Sequence, residues 1–298
     1  MVLTYCPGAA STASLYLAPN KEKNMDKETL QFLKNQAKEI RKMTIEEIAT
    51  LGSGHIGGSM SIVDLLALLY FHRMKTDPQK PRWEDRDRLV VSKGHSGPAV
   101  YAALSLKGFF PKDWLATLNR GGTSLPSHCD RNKTPGVEMS TGSLGQGFST
   151  AIGMALGLKM DNRAPKVYAI IGDGESNEGQ IWEGALFASF QKLSNLIAFT
   201  DCNKQQLDGF TKDILDMEDI AAKWETFGWF TQEVNGHDVA ALDAAIEKAL
   251  AQKEKPSMII MHTIKGKGCF FAEGVEKNHN MAFDMEKAKE AIAVLYKE

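Results

Sequence analysis

Residues 166–209 constrain this chain more than any other stretch. Residues 167–171 (Val-Tyr-Ala-Ile-Ile) form an unbroken apolar run with β-branched members, the pattern of a strand buried on both faces of a parallel sheet. The run stops at Gly172-Asp173-Gly174, a turn that only small residues make tightly. Apolar residues then recur at helical spacing over 181–193 (Ile181, Ala185, Phe187, Ala188, Leu193), and 196–200 begins a second buried strand. The segment is therefore a β-turn-α-β unit with Asp173 ending one strand and Asp201-Cys202-Asn203 ending the next.

Ligands of open α/β sheets bind outside the carboxyl ends of the strands. Asp173 and Asn203 are thus expected side by side at one rim. A carboxylate and an amide oxygen suit Mg²⁺, which takes one or two protein ligands and completes its octahedron with phosphate and water oxygens. The glycines allow backbone N–H groups to approach a phosphate, and the following helix start favours negative charge. The pattern reads as a Mg²⁺–diphosphate clamp. Taken alone, Gly-Asp-Gly is equally served by a tight turn and a capped helix in an ordinary doubly wound sheet.

The larger pattern, GDGESNEG followed by WEGALFASFQKLSNLIAFTDCN, resembles the thiamine-diphosphate motif of the transketolase family. The resemblance implies an α/β thiamine-diphosphate-binding fold, a parallel central sheet with helices on both faces. It further implies thiamine diphosphate and Mg²⁺ as cofactors, with Asp173, Asn203 and the Gln205 carbonyl on the metal and Gly174 close to the diphosphate. Glu178 matches the family's interface glutamate in D-G-x-x-x-E-G; its other reading is a first-turn acid favourable to the helix dipole.

The rest of the chain is consistent with that reading. Residues 26–51 show helical periodicity and end at Gly52-Ser53-Gly54-His55-Ile56-Gly57-Gly58, where glycines leave the His55 ring reachable. S-G-H-x-G resembles the family's first active-site histidine motif, the alternative being a helix C-cap with an incidental histidine. Residues 61–74 read as one apolar helix, and 83–88 as a connection whose charges are solvated. A short strand from Arg88 runs into V-S-K-G-H-S, putting His95 at the rim, as a family match or a structural histidine. After a helix over 97–106, the loop 119–142 is long enough to be functional. It holds Ser127-His128-Cys129 where the family has Gly-His-Pro, so His128 is a third active-site match with altered flanks; zinc binding by His-Cys lacks a second ligand pair. The segment S-T-G-S-L-G-Q-G resembles the family's thiamine-pocket lining and assigns that role to Gly142 and Leu144, while also opening a helix over 146–159.

Helices over 218–227 and 239–251 and strands over 229–234 and 258–262 continue the alternation of a parallel sheet. After the last strand comes Thr263-Ile264-Lys265-Gly266-Lys267-Gly268. In the family such a loop precedes a histidine near the cofactor; here that is His279, in Asn-His-Asn rather than aromatic-His-Gly. A helix over 284–296 closes the domain.

A net charge of −2 gives no global field for nucleic acid or an anionic membrane. No apolar run approaches the roughly 20 residues needed to span a bilayer. Four scattered cysteines suggest reduced thiols in a cytoplasmic protein. Residues 1–24 are expected to be a loosely ordered extension, and 25–298 one cofactor domain. The family's pyrimidine-activating glutamate belongs to a second α/β domain, absent from this sequence. A fragment of a longer transketolase would also read this way, and the expectation is an N-terminal subunit of a split transketolase. It would transfer a two-carbon ketol unit between sugar phosphates, two copies assembling with two of a C-terminal subunit that brings the glutamate. Alternatives are a subunit of another thiamine enzyme, such as a deoxyxylulose-phosphate synthase or 2-oxoacid dehydrogenase, and a non-catalytic binding protein of this fold.

Overall fold

The computed structural model describes residues 25–207 and 209–297. The expected extension at residues 1–24 lies outside the described residues. The apolar runs become five strands: β1 (Arg88–Val91), β2 (Val167–Gly172), β3 (Leu196–Cys202), β4 (Phe230–Asn235) and β5 (Ser257–His262). They pair in the order β1-β2-β3-β5-β4, every pairing parallel. Alternate side chains feed two separate cores. Tyr168, Ile170, Ile197, Phe199, Ile259 and Met261 enter one; Val167, Ala169, Ile171, Ala198, Met258 and Ile260 enter the other. Burial on both faces is what an uninterrupted apolar strand requires.

The flanking helices are α1 (Lys27–Leu51), α2 (Val63–Leu68), α3 (Gly97–Lys107), α4 (Gln146–Met160), α5 (Gly179–Phe190), α6 (Ile220–Thr226), α7 (Val239–Ala251) and α8 (Met285–Leu295). Helices α4, α5 and α6 cover one face; the others cover the opposite one. Capping fixes several boundaries. Asp26 accepts from Thr29 N at 2.8 Å, Asp238 from Ala240 and Ala241 N, and Asp284 from Lys287 N, each satisfying donors that a helix start leaves free. Helix α1 stops at Gly52, whose φ of 97° is left-handed.

Two sequence expectations are corrected. Residues 61–74 do not form one helix: α2 is followed by a single wide π turn, Leu69–Arg73, closed by Met74 N donating to Leu69 O. Ser61 lies outside the helix because its hydroxyl is held by Asp201 and the Gly58 carbonyl. The charges of 83–88 are also not all solvated. Arg86 is buried in a bidentate pair with Glu138 at 2.7 and 2.6 Å, and buried Asp87 accepts from Lys75 N and Lys166 N. The long loop folds back over this connection and brings Glu138 to it.

Candidate active site

Parallel pairing puts the carboxyl ends of β1, β2, β3 and β5 along one rim, and the turns that follow them share a cleft of about 240 Å³. Its lining includes Asp173, Gly174, Asn203, Gln205, Gly142, Leu144, Lys265, His95, His128 and His279. His55 joins from the side, its ring centroid 5.3 Å from those of His128 and His279 and 5.7 Å from that of His95. His95 and His279 lie 4.7 Å apart. Residues from distant stretches thus meet as the motifs require. Glu178 does not: it is exposed at the start of α5 and outside the cleft lining.

Asp173 is buried, with Oδ1 accepting from Gly174 N at 2.8 Å and Oδ2 from Lys204 N at 2.5 Å. The second bond ties the β2 end to the residue after Asn203. Asn203 Oδ1 accepts from Gln205 N at 3.1 Å, and Nδ2 donates to Asp201 at 2.8 Å. Burial, then the nearby Asp201 charge, raises the Asp173 carboxyl to a pKa of about 7. That is the environment of an acid waiting for a cation. Gly174 cannot carry a side chain, since a Cβ would lie 2.7 Å from that of Gln206; at Gly142, φ is +150° and a Cβ would approach the His128 ring to 3.1 Å.

Among the described residues no cluster of three or more His, Cys, Asp or Glu side chains is arranged as a metal cage. The donor set instead suits an ion completed by diphosphate oxygens. A buried Asp short of positive charge, a cradle that a Cβ would fill and the unpartnered, buried Nδ1 of His279 all fit thiamine diphosphate with a divalent ion.

Burial holds all four imidazoles below the usual histidine range. For His55, burial followed by His128 brings the pKa to about 4; for His279, burial, Lys265 and the neighbouring histidines bring it to about 3. His95 is pushed well down by burial and then Lys93, and His128 down by burial. The cluster is neutral at physiological pH, so each ring offers one hydrogen-bond donor and one acceptor nitrogen. Lys265 is buried, with its Nζ 3.5 Å from Gln206 O; burial and then Lys93 lower it to about 8.

Sequence reasoning missed three buried polar residues that build this site. Lys93 donates to Asp201 Oδ2 at 2.5 Å and to Gly58 O at 2.9 Å. Asp201 also receives Ser61 Oγ, Thr263 Oγ1 and Asn203 Nδ2. Glu175 accepts from Ser92 Oγ, Gly145 N and Gly172 N, fastening the Gly142–Leu144 loop to the ends of β1 and β2. The signal was present, because charged residues flanking a rim motif must be paired if buried.

Residues 33–295 match the family model described as transketolase, thiamine diphosphate binding domain. The chain belongs to the transketolase family. It is 56% identical to the 6-deoxy-6-sulfo-D-fructose transketolase subunit SqwG of Clostridium sp. (strain MSTE9), covering 89% of this chain and 97% of that protein. It is 38% identical to an apulose-4-phosphate transketolase subunit from Phocaeicola vulgatus, over 90% of this chain and 94% of that one. Among solved structures, the Campylobacter jejuni transketolase superposes with a TM-score of 0.83 at 31% identity. That match covers 90% of this chain and 43% of the C. jejuni chain. The sequence thus spans under half of such a long transketolase and nearly all of the two subunit relatives.

Proposed function

We propose that this chain is the diphosphate-binding subunit of a two-chain transketolase, transferring a two-carbon ketol unit between sugars that end in an anionic group. The observation that carries the reading is the convergence of Asp173, Asn203, Lys265, His95, His128 and His279 on one cleft, with the His55 ring packed against those three histidines. Sugar phosphates are the general substrate class. A sulfonated ketose is the first donor to try, because the relative at 56% identity is named for one.

Asp173, Asn203 and the Gln205 carbonyl would hold Mg²⁺, with Gly174 allowing close approach of the diphosphate and Lys265 addressing it. Gly142 and Leu144 would bound the thiazolium side. Bound thiamine diphosphate would supply the carbon nucleophile and electron sink for breaking and remaking the ketol carbon–carbon bond. The protein's own part is to hold the sugar: His55, His95, His128 and His279, kept neutral by burial, can hydrogen-bond sugar hydroxyls, and proton transfer through them would require the negative charge of a bound ligand to raise their pKa.

The partner would bring the pyrimidine-activating glutamate, in an assembly of two plus two chains, with Glu178 at the contact between copies. The exposed apolar residues Leu186, Phe187, Phe190 and Met160 support an assembled state, Phe190 being 80% and Met160 73% exposed. Lys159 Nζ bonds the carbonyls of Gln191 and Lys192, bringing the ends of α4 and α5 together so that these side chains form one patch. Cys129, Cys202 and Cys269 are free and buried, in keeping with a cytoplasmic protein. No helix among the described residues is long and apolar enough to cross a membrane.

The test is reconstitution with a pyrimidine-domain partner. Ketol transfer should require both chains, thiamine diphosphate and Mg²⁺, and Asp173→Asn should abolish Mg²⁺-dependent cofactor binding measured by calorimetry. Full activity from this chain alone would refute the two-chain reading.

A further inference from the structure

Both motifs that depart from the transketolase pattern do so on both sides of their histidine. Ser127-His128-Cys129 stands for Gly-His-Pro, and Asn278-His279-Asn280 for aromatic-His-Gly. In each triplet one altered flank is buried. Cys129 lies in the core, and Asn278 donates from Nδ2 to Lys265 O at 3.1 Å and Ala272 O at 2.7 Å. The other flank goes elsewhere. Ser127 and Asn280 line one small cleft of about 60 Å³ together with Ser53, Asn119 and His55.

This cleft is distinct from the diphosphate cleft but adjoins it. His95, His128 and His279 line the larger one, His55 the smaller, and the His55 ring packs against the other three. The imidazole cluster therefore forms the wall between them. Among the described residues, the lining of the small cleft contains no Lys, Arg, Asp or Glu. It offers hydroxyl and amide groups that both donate and accept. An anionic terminus would find no counter-charge there, whereas sugar hydroxyls would find partners.

We propose that Ser127 and Asn280 form a hydroxyl-reading subsite for the carbon chain of the sugar beside the reacting centre, and that they set preference among ketoses by their hydroxyls rather than by their anionic end. The proposal rests on the transketolase reading of the same site. The two side chains stand where glycine is the family pattern, so they narrow the cleft and add polar groups at the same place. A site built to hydrogen-bond a hydroxyl discriminates against an analogue lacking it, because its own polar groups are then left unpaired.

The experiment uses the reconstituted two-chain enzyme. Ser127→Gly, Ser127→Ala, Asn280→Gly and the double variant are assayed for kcat/KM with a ketohexose phosphate, its 6-sulfonate counterpart and a deoxy analogue lacking one chain hydroxyl. The expected result is a loss of roughly tenfold per removed hydrogen bond with the hydroxylated donors. It should be equal for phosphate and sulfonate ends, carried mainly in KM, and absent with the deoxy analogue. Ser127→Ala, which does not loosen the loop, should reproduce Ser127→Gly, and thiamine diphosphate affinity should not change. Equal losses with hydroxylated and deoxy donors, or no loss, would overturn the subsite while leaving the transketolase reading intact. A wild-type assembly inactive on every ketose would overturn both.

Discussion

Lys93 and Asp201 form a buried ion pair directly behind the diphosphate cleft, with Nζ 2.5 Å from Oδ2 and side chains 3% and 0% exposed. With the bonds to Gly58 O, Ser61, Asn203 and Thr263, this pair joins the ends of β1, β3 and β5 to the short helix Ile56–Met60 that follows His55. Removing one partner of such a pair strands the other's charge, at a cost of roughly 3–5 kcal/mol. Lys93→Met should therefore lower stability by about that much in urea unfolding of the isolated chain. A loss below about 1 kcal/mol would show that water or a rearrangement already compensates Asp201.

Acid should weaken the fold through the imidazole cluster. His55 and His279 have folded pKa values of about 4 and about 3, below the ordinary 6.5. Between those limits the unfolded chain binds protons that the folded chain refuses. Their contribution to stability is thus fully present above pH 6.5 and is lost progressively as pH falls through the window. The double variant His55→Asn/His279→Asn should lose less melting temperature than wild type between pH 7 and pH 4. Parallel curves would mean the cluster accepts protons without opposing folding.

The parts of the molecule that obey a single period were legible from sequence. The strand-turn-helix-strand around Asp173 is read directly because its apolar runs, glycine turn and helix each have an unambiguous pattern. The rim location of Asn203 follows from parallel topology. What escaped was set by long-range pairing. Nothing near Lys93 in sequence announces Asp201, 108 positions away. The partners of Glu175 come from three different segments. Arg86 looked solvated because its partner Glu138 belongs to a loop with no periodicity of its own. The break in 61–74 was hidden for the opposite reason: a run so largely apolar fits several helical registers, and the bond that takes Ser61 to Asp201 is again a long-range one.

Glu47 on α1 is a destabilising exception within the core. It is 2% exposed, and neither carboxyl oxygen has a hydrogen-bond partner among the described residues. Burial raises its pKa well above the ordinary value of 4.5, so the folded chain keeps it protonated while the unfolded chain releases the proton above that pH. Its penalty therefore grows as pH rises from 4.5 toward the folded value. Glu47→Leu, which fills similar space without a polar group, should stabilise the chain by about 1–3 kcal/mol. Denaturant midpoints at pH 5 and pH 8 should show the larger gain at pH 8; a destabilised variant would reveal an unrecognised partner for the carboxyl.

Asn278 governs geometry without touching Asp173 or Asn203, although it does hold the backbone of Lys265. Its Nδ2 holds two carbonyls of the Lys265–Ala272 loop, and its own carbonyl accepts from Gly57 N at 3.0 Å. Gly57 O in turn accepts from Gly266 N at 3.0 Å. Three loops carrying His55, Lys265 and His279 are thereby stitched together, and a Cβ on Gly57 would come within 2.5 Å of the Asn278 carbonyl oxygen. Asn278→Leu removes both side-chain bonds and lets the histidines drift relative to the bound sugar. Misplacement by about 1 Å can reduce turnover around a hundredfold. Because Asp173 and Asn203 follow other strands, and of the proposed diphosphate contacts Lys265 alone is bonded to Asn278, kcat should fall by about ten- to a hundredfold and thiamine diphosphate affinity by clearly less, under about tenfold. Equal losses in both would mean that the substitution loosens the whole rim, and that Asn278 has no selective hold on the imidazoles.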